Sequence, residues 1–115
     1  MQTRVLSSTT MIGDKVRNSE GDELGTVEEI VVDLDEGEVA YVVLAAGGFL
    51  GMGEKFFALP WDAVTVDTDS HEFIAPIAKE TLENAPGFDK DNWPDFADRE
   101  YSALIYRHYG FEPRW

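Results

Sequence analysis

The chain has 115 residues, and its 23 acidic against 9 basic side chains give a formal net charge of −14 at pH 7. This length suits one domain with a single core, and the acidity disfavours direct binding to nucleic acid or to anionic lipid. The absence of cysteine excludes disulfides, thiolate metal sites and cysteine nucleophiles. The opening residues lack the apolar core of a signal peptide, so we expect a soluble, cytoplasmic protein without membrane contact.

Short apolar segments separated by turn residues predict that the first part of the chain is β-rich. A polar lead over residues 1–10 comes first, then a short strand in MIGDKV and a hairpin turn at Gly21. In the next strand, GTVEEIVVDLD, the adjacent Glu28 and Glu29 break the alternation and predict a bulge or a switch of face near Glu29. A second hairpin turn follows, in which Gly37 is free to take a positive φ. The apolar run VAYVVLAA after it predicts the most buried strand.

The glycine-rich stretch GGFLGMGEK, residues 47–55, looks more like a binding site than any other segment. A Walker A loop needs a hydroxyl residue after its lysine, but Phe56 follows Lys55, and Glu54 puts a carboxylate beside the lysine. The loop also leads into a strand, whereas phosphate loops lead into a helix whose N-terminal amides bind the anion. We therefore interpret it as a turn between strands. Its large apolar side chains are Phe49, Leu50 and Met52. They are expected either to fold back over the mouth of a barrel or to contact another subunit.

The segment after the loop predicts three more strands and then helices. KFFALPW should end as a strand at Pro60, and two short strands should flank a turn near Asp69. After Pro76 the composition becomes helical in AKETLENA, and the clearest helix is DREYSALIYRHYG, with Asp98 as its N-cap and Gly110 as its stop. A small antiparallel barrel or sandwich, followed by a helical tail, is the fold that these elements favour.

The sequence contains no convincing set of residues for metal binding or for catalysis. Four acidic residues of the segment DKDNWPDFADRE fall at ligand positions 1, 3, 7 and 12 of a calcium-binding EF-hand loop. Trp93, however, occupies position 5, and Pro94 stands where the loop requires a glycine. His71 lies in a polar turn and His108 near the end of a helix, and neither has a nucleophile partner. We expect no catalytic residues, no metal and no cofactor.

Several motifs in order resemble the PRC-barrel family, the small β-barrel of the photosynthetic reaction-centre H subunit and of a ribosome maturation factor. They are IGDKV, GTVEEIVVDLD, VAYVVL and LPWDAV, and the following LENAPGFDKDNWPDFADREYSALIYRHYG looks like the tail of stand-alone bacterial members. The resemblance implies a mainly β, antiparallel PRC-type barrel over residues 11–77. It also implies a helical, aromatic extension over residues 78–115 that packs on the barrel.

The resemblance implies a binding or assembly module without chemistry of its own. We expect self-association, with a dimer favoured, through the apolar barrel face and the glycine-rich loop, besides an unknown protein partner. Two alternatives stay open: a ribosome or RNA-processing accessory factor that acts through a protein partner, and a stress protein that binds a small ligand or metal. The candidate interaction residues are Phe49, Leu50, Met52, Phe56, Phe57 and Trp61.

Overall fold

A computed structural model of the chain describes residues 5–46 and 55–113. The strands are β1 (Lys15–Arg17), β2 (Glu23–Asp33), β3 (Glu38–Ala46), β4 (Lys55–Pro60), β5 (Thr65–Asp67) and β6 (Glu72–Ile74). The helices are α1 (Ser8–Met11), α2 (Lys79–Glu83) and α3 (Arg99–His108), and a 3₁₀ turn over Trp61–Ala63 joins β4 to β5. The strand predictions are thus confirmed, including the end of β4 at Pro60.

The strands form one six-stranded sheet in the order β4-β3-β2-β1-β6-β5. Four neighbouring pairs are antiparallel, but β1 and β6 are parallel, so the prediction of a wholly antiparallel barrel is wrong at this pair. A long connection separates these two strands, and only a tight hairpin would force the antiparallel direction. Within the described residues the two outer strands, β4 and β5, do not pair with each other, so the sheet is not closed. Arg17 and Glu72 add an ion pair between β1 and β6, with Nε 2.6 Å from Oε2.

The hairpins follow the turn and bulge signals of the sequence. The register of β2 against β3 shifts between Val27 and Glu29, which confirms the bulge at the paired glutamates. Gly21 and Gly37 have positive φ in their turns. The first hairpin is also held by Asn18, a buried side chain whose amide oxygen accepts from two backbone N–H groups of the turn. Its amide nitrogen donates to the Ile77 carbonyl, which ties this turn to the chain before α2.

Strand β3 is buried on both of its faces. Val42, Leu44 and Ala46 point into a core with Phe57, Phe73 and Leu82 from the rest of the sheet and α2. Tyr41, Val43 and Ala45 belong to a second core, which forms between the outer face of β3 and β4 and the C-terminal segment. The sequence prediction that this strand is the most buried is confirmed, and the continuous apolar run reflects two cores rather than one.

The C-terminal segment is anchored to the sheet at an edge and through a capped helix. Asp98 accepts the Glu100 N–H at 2.9 Å as the N-cap of α3, as predicted. At its other end Gly110 has φ +84, its N–H donates to the Arg107 carbonyl, and the Phe111 N–H donates to the Tyr106 carbonyl. These two bonds form a Schellman motif and confirm the predicted stop. The amphipathic helix thus turns Ile105 and Tyr106 onto β3 and β4.

Candidate interaction surfaces

The structure places the predicted interaction residues in three different situations. Phe49, Leu50 and Met52 lie outside the described residues. Phe56 and Phe57 are 4% and 1% exposed and point to opposite faces of β4, Phe56 into the outer core and Phe57 into the inner one. Trp61 is half-buried and packs edge-on against Phe73, with ring centroids 6.3 Å apart. Of the described candidates, Trp61 therefore keeps the most surface for a partner.

The outer face of β3 and β4 is covered by the chain's own aromatic tail. Tyr41 contacts Phe96 and Tyr106 at ring-centroid distances of 5.7 and 5.9 Å, and Phe88 contacts Phe56 at 5.9 Å. Such tilted and edge-on aromatic pairs combine large apolar burial with favourable ring electrostatics. This face of the sheet is therefore not a free surface for a second copy.

The hydroxyl groups under this cover are not poised for acid–base chemistry. Burial raises the pKa of Tyr101 and of Tyr109 well above the ordinary value of 10.0. Burial also raises the pKa of Tyr41 above the ordinary value of 10.0. All three phenols are neutral at physiological pH, so the cluster packs the tail against the sheet and offers no general base.

An apolar groove lies between the N-terminal segment, the β2–β3 turn and the β5 region. Its volume is about 740 Å³, and we call it the Trp61 groove. Ten residues line it: Val5, Leu6, Met11, Gly37, Val39, Trp61, Val64, Thr65, Val66 and Thr68. Met11, Trp61, Val64 and Val66 also pack against the inner core, so the floor of this groove is an extension of that core.

The N-terminal side of the Trp61 groove is markedly exposed. Val5 is 78% and Leu6 41% accessible to solvent, although both border an apolar floor. Contiguous apolar surface of this kind in a soluble domain marks an interaction surface more often than a single exposed aliphatic residue does. The lining of the groove has the apolar, uncharged composition that the core of a protein interface has.

A second groove, the hairpin groove, lies on the other side of the β2–β3 hairpin. Its volume is about 530 Å³. Ten residues line it: Val31, Val32, Asp33, Leu34, Asp35, Glu36, Ala40, Phe96, Ala97 and Arg99. Val31 and Phe96 pack against the outer core and Ala40 belongs to it, so this groove marks the place where the tail meets the hairpin.

Charge distinguishes the two grooves. None of the residues that line the Trp61 groove is ionisable, whereas Asp33, Asp35, Glu36 and Arg99 line the hairpin groove. The first surface can be covered without burying any charge of its own lining. The second carries an excess of carboxylates, so electrostatic complementarity restricts its partners far more strongly.

The histidines and the acidic segment form no further site in the described part of the chain. His71 is exposed in the β5–β6 turn with φ +58, and Nε2 of His108 lies 2.8 Å from the Thr81 carbonyl oxygen, which joins α3 to α2. Across residues 5–46 and 55–113, no three histidine or carboxylate side chains converge in a way that could hold a metal ion. No helix in those residues is long and apolar enough to cross a membrane.

Sequence reasoning missed Val5, Leu6 and Leu34 as surface residues of interest. Val5 and Leu6 stand in the segment interpreted as a polar lead, where an adjacent apolar pair is itself a weak signal. Leu34 stands between two aspartates in a hairpin turn, a position where a large aliphatic side chain gains little from its own fold. Both signals are visible in the sequence, but exposure depends on which tertiary neighbours cover a residue.

Comparison with known families gives a match that covers more than half of the chain. The model of the PRC-barrel domain matches residues 4–82, from the N-terminal segment to α2. The matched region contains all six strands and every residue that lines the Trp61 groove. A comparison with curated proteins found no significant match.

Proposed function

We propose that this chain, which belongs to the PRC-barrel domain family, is a non-enzymatic assembly module that pairs with a second copy through the Trp61 groove. The observation that carries the proposal is the uncharged groove itself, with Trp61 in its lining and Val5 and Leu6 exposed at its side. Covering such a surface removes apolar area from water, which is the main favourable term in most protein association.

The charge of the chain favours this groove as the contact between copies. Two molecules that each carry −14 repel one another, so a stable pair must bring together surfaces with few carboxylates. The lining of the Trp61 groove meets that condition. A self-complementary apolar patch is also what a two-fold symmetric dimer requires, since the same surface serves both partners.

The glycine-rich loop remains part of the proposal. Phe49, Leu50 and Met52 were predicted to add to the contact, and Phe49→Ser with Leu50→Ser should then weaken self-association without unfolding the chain. The absence of cysteine suits a cytoplasmic location, which we propose for the module as well.

The test is the oligomeric state of the intact chain by sedimentation velocity over a range of protein and salt concentrations. The wild type should associate, and more strongly at high salt, because salt screens the repulsion between acidic copies. Val5→Ser combined with Leu6→Ser should shift the association toward monomer. Leu104→Ser, an exposed residue of α3 outside both grooves, is the matched control and should associate like the wild type.

Two results would contradict the proposal. One is a wild type that stays monomeric at every concentration and salt level. The other is a folded Val5→Ser, Leu6→Ser variant, with the wild-type melting temperature, that dimerises as strongly as the wild type. Since both residues are exposed, loss of fold should not confuse the outcome, and circular dichroism checks this directly.

A further inference from the structure

The end of the β2–β3 hairpin exposes aliphatic surface beside an apolar floor. Leu34 is 89% and Val32 51% accessible, and both line the hairpin groove with Ala40 and Phe96. Leu34 contributes almost nothing to the cores of its own chain. Its position at the groove therefore suits a contact with a partner better than a role in folding.

The turn that carries Leu34 is held in shape before any partner arrives. Oδ1 of Asp33 accepts the N–H groups of Asp35 and Glu36 at 3.0 and 3.2 Å, and the Gly37 N–H donates to the Asp33 carbonyl at 2.9 Å. These bonds fix the backbone around Leu34, while Asp35 and Glu36 remain exposed. A rigid turn loses less conformational freedom on binding, which favours affinity.

The charges of the groove determine what can occupy it. Three carboxylates and one guanidinium, those of Asp33, Asp35, Glu36 and Arg99, line it in a chain that is strongly acidic overall. A second copy would bring further carboxylates against them, and nucleic acid would bring phosphates. A lysine or arginine side chain instead can lay its aliphatic stem on Leu34 and Phe96 while its charged head reaches Asp35 or Glu36.

We propose that the hairpin groove binds a cationic amphipathic peptide segment of another protein, with Leu34 and Phe96 as the apolar contact and Asp35 and Glu36 as the charge contact. This site is separate from the self-association surface, because it lies on the opposite side of the hairpin and differs from it in charge. The two proposals therefore succeed or fail independently, and salt affects them in opposite directions.

The test uses a short fluorescein-labelled peptide of alternating lysine and leucine, titrated with the intact chain and followed by fluorescence anisotropy. Binding should weaken with added salt, and Leu34→Ser should raise the Kd by about tenfold, because the proposal makes Leu34 a central apolar contact. Asp35→Asn combined with Glu36→Gln should raise the Kd similarly. A peptide of alternating glutamate and leucine should not bind.

The matched control for the charges is Asp89→Asn combined with Asp91→Asn, which removes the same number of carboxylates from an exposed segment outside the hairpin groove. It should leave the Kd close to that of the wild type. If the two double variants raised the Kd equally, the peptide would be responding only to the overall negative charge of the chain, and the proposal would be overturned. So would an unchanged Kd for Leu34→Ser, or no binding of the lysine–leucine peptide.

Sedimentation of the Leu34→Ser variant tests whether a second copy of the chain, rather than a cationic peptide, occupies the hairpin groove. If this substitution weakened self-association, the hairpin groove would belong to a second copy and the cationic peptide would be the wrong partner. An unchanged sedimentation profile together with the raised Kd supports the proposal. Circular dichroism should give the wild-type melting temperature for this variant, because the side chain is almost wholly exposed.

Discussion

Phe56 and Phe88 exchange both of their backbone hydrogen bonds, each 2.9 Å long, at the edge of β4. Their rings also pack 5.9 Å apart, so one residue pair joins the C-terminal segment to the sheet through both backbone and side chain. β4 ends the sheet on this side, and an uncovered edge strand offers its hydrogen-bonding groups to other chains. The pairing at Phe88 satisfies part of that edge within the molecule.

Gly87 permits this contact, so Gly87→Ala should loosen the tail. An added Cβ would lie 2.8 Å from Cε1 of Phe57 and 2.9 Å from the Phe56 carbonyl oxygen. The Phe56 carbonyl is held in the sheet and cannot move freely, so we expect a loss of about 1–3 kcal/mol in the free energy of unfolding. Urea unfolding measures it. Gly37→Asn, in open space at a φ that asparagine tolerates, is the control and should unfold almost as the wild type does.

Gly25→Ala should be more damaging, because the backbone of β3 lies directly against β2 at this residue. A Cβ there would lie only 2.2 Å from the Ala45 carbonyl oxygen, and the backbone φ of +153 is unfavourable for a side chain. We expect the free energy of unfolding to fall by about 3 kcal/mol or more, which is a large part of the total stability of a small domain. Thermal melts followed by circular dichroism test this. A melting temperature within error of the wild type would show that β2 and β3 are farther apart.

Asn18→Asp should destabilise the first hairpin in a pH-dependent way. The amide nitrogen of Asn18 donates to Oδ2 of Asp22 and to the Ile77 carbonyl, both at 3.2 Å. A carboxylate of the same shape can still accept from the turn but cannot donate, and it would repel Asp22. We expect the free energy of unfolding to fall by about 2–4 kcal/mol at neutral pH. The buried side chain would lose both of its donor hydrogen bonds and would place a negative charge beside Asp22.

The pH dependence of the Asn18→Asp variant follows from the direction in which folding shifts the pKa of the introduced carboxyl. Burial and Asp22 raise the pKa of the introduced carboxyl in the folded state above its unfolded value of about 3.9. Its destabilising effect is therefore largest near neutral pH and shrinks as the pH falls and the group takes up a proton. Urea midpoints of variant and wild type should converge in acid. A constant difference would mean that the carboxyl is solvated.

The buried phenols of Tyr101 and Tyr109 should make the fold sensitive to alkali. Burial raises their pKa in the folded state above the ordinary 10.0 of an unfolded tyrosine. Above pH 10 the unfolded chain therefore releases protons that the folded chain retains, and stability falls as the pH rises. Below that pH both states are protonated and the stabilising contribution is fully present. Urea midpoints at neutral pH and at several values above pH 10 measure the decline.

Tyr109→Phe is the matched variant for the alkaline effect. Among the residues that the structure describes, the buried Tyr109 hydroxyl has no hydrogen-bond partner. Removing it should therefore change stability at neutral pH by no more than about 1 kcal/mol, in the stabilising direction if at all. The same variant should lose less stability than the wild type in alkali. An equal decline would place the responsible group elsewhere.

The local features of this fold could be predicted because their signals lie within a few residues. The bulge at Glu28 and Glu29 follows from a break in the apolar alternation, and the N-cap at Asp98 from a carboxylate that accepts a nearby backbone N–H. The stop at Gly110 follows from a residue without a Cβ, which takes a positive φ at little cost. Asn18 belongs to the same class, since an asparagine that opens a turn can bond to the backbone two residues on.

Long-range relationships could not be predicted from such signals. The parallel pairing of β1 with β6 joins strands that are far apart in sequence, and no periodicity records the direction in which they meet. The same holds for the two grooves. Val5 and Leu34 are ordinary aliphatic residues in the sequence, and only the positions of the other elements leave them uncovered. The sequence predicts Trp61 as an interaction residue, but it does not show that Val5 and Leu6 lie beside it.

The double burial of β3 also bears on how the chain is made. The residues that cover its outer face, from Phe88 to Phe111, leave the ribosome after the strands have been synthesised. Until they arrive, the nascent sheet presents a continuous β-branched and aromatic strand to water, the kind of surface on which partly folded chains aggregate. The tail thus protects the outer face of β3 from such contacts, and a chain shortened before Phe88 would leave that face uncovered.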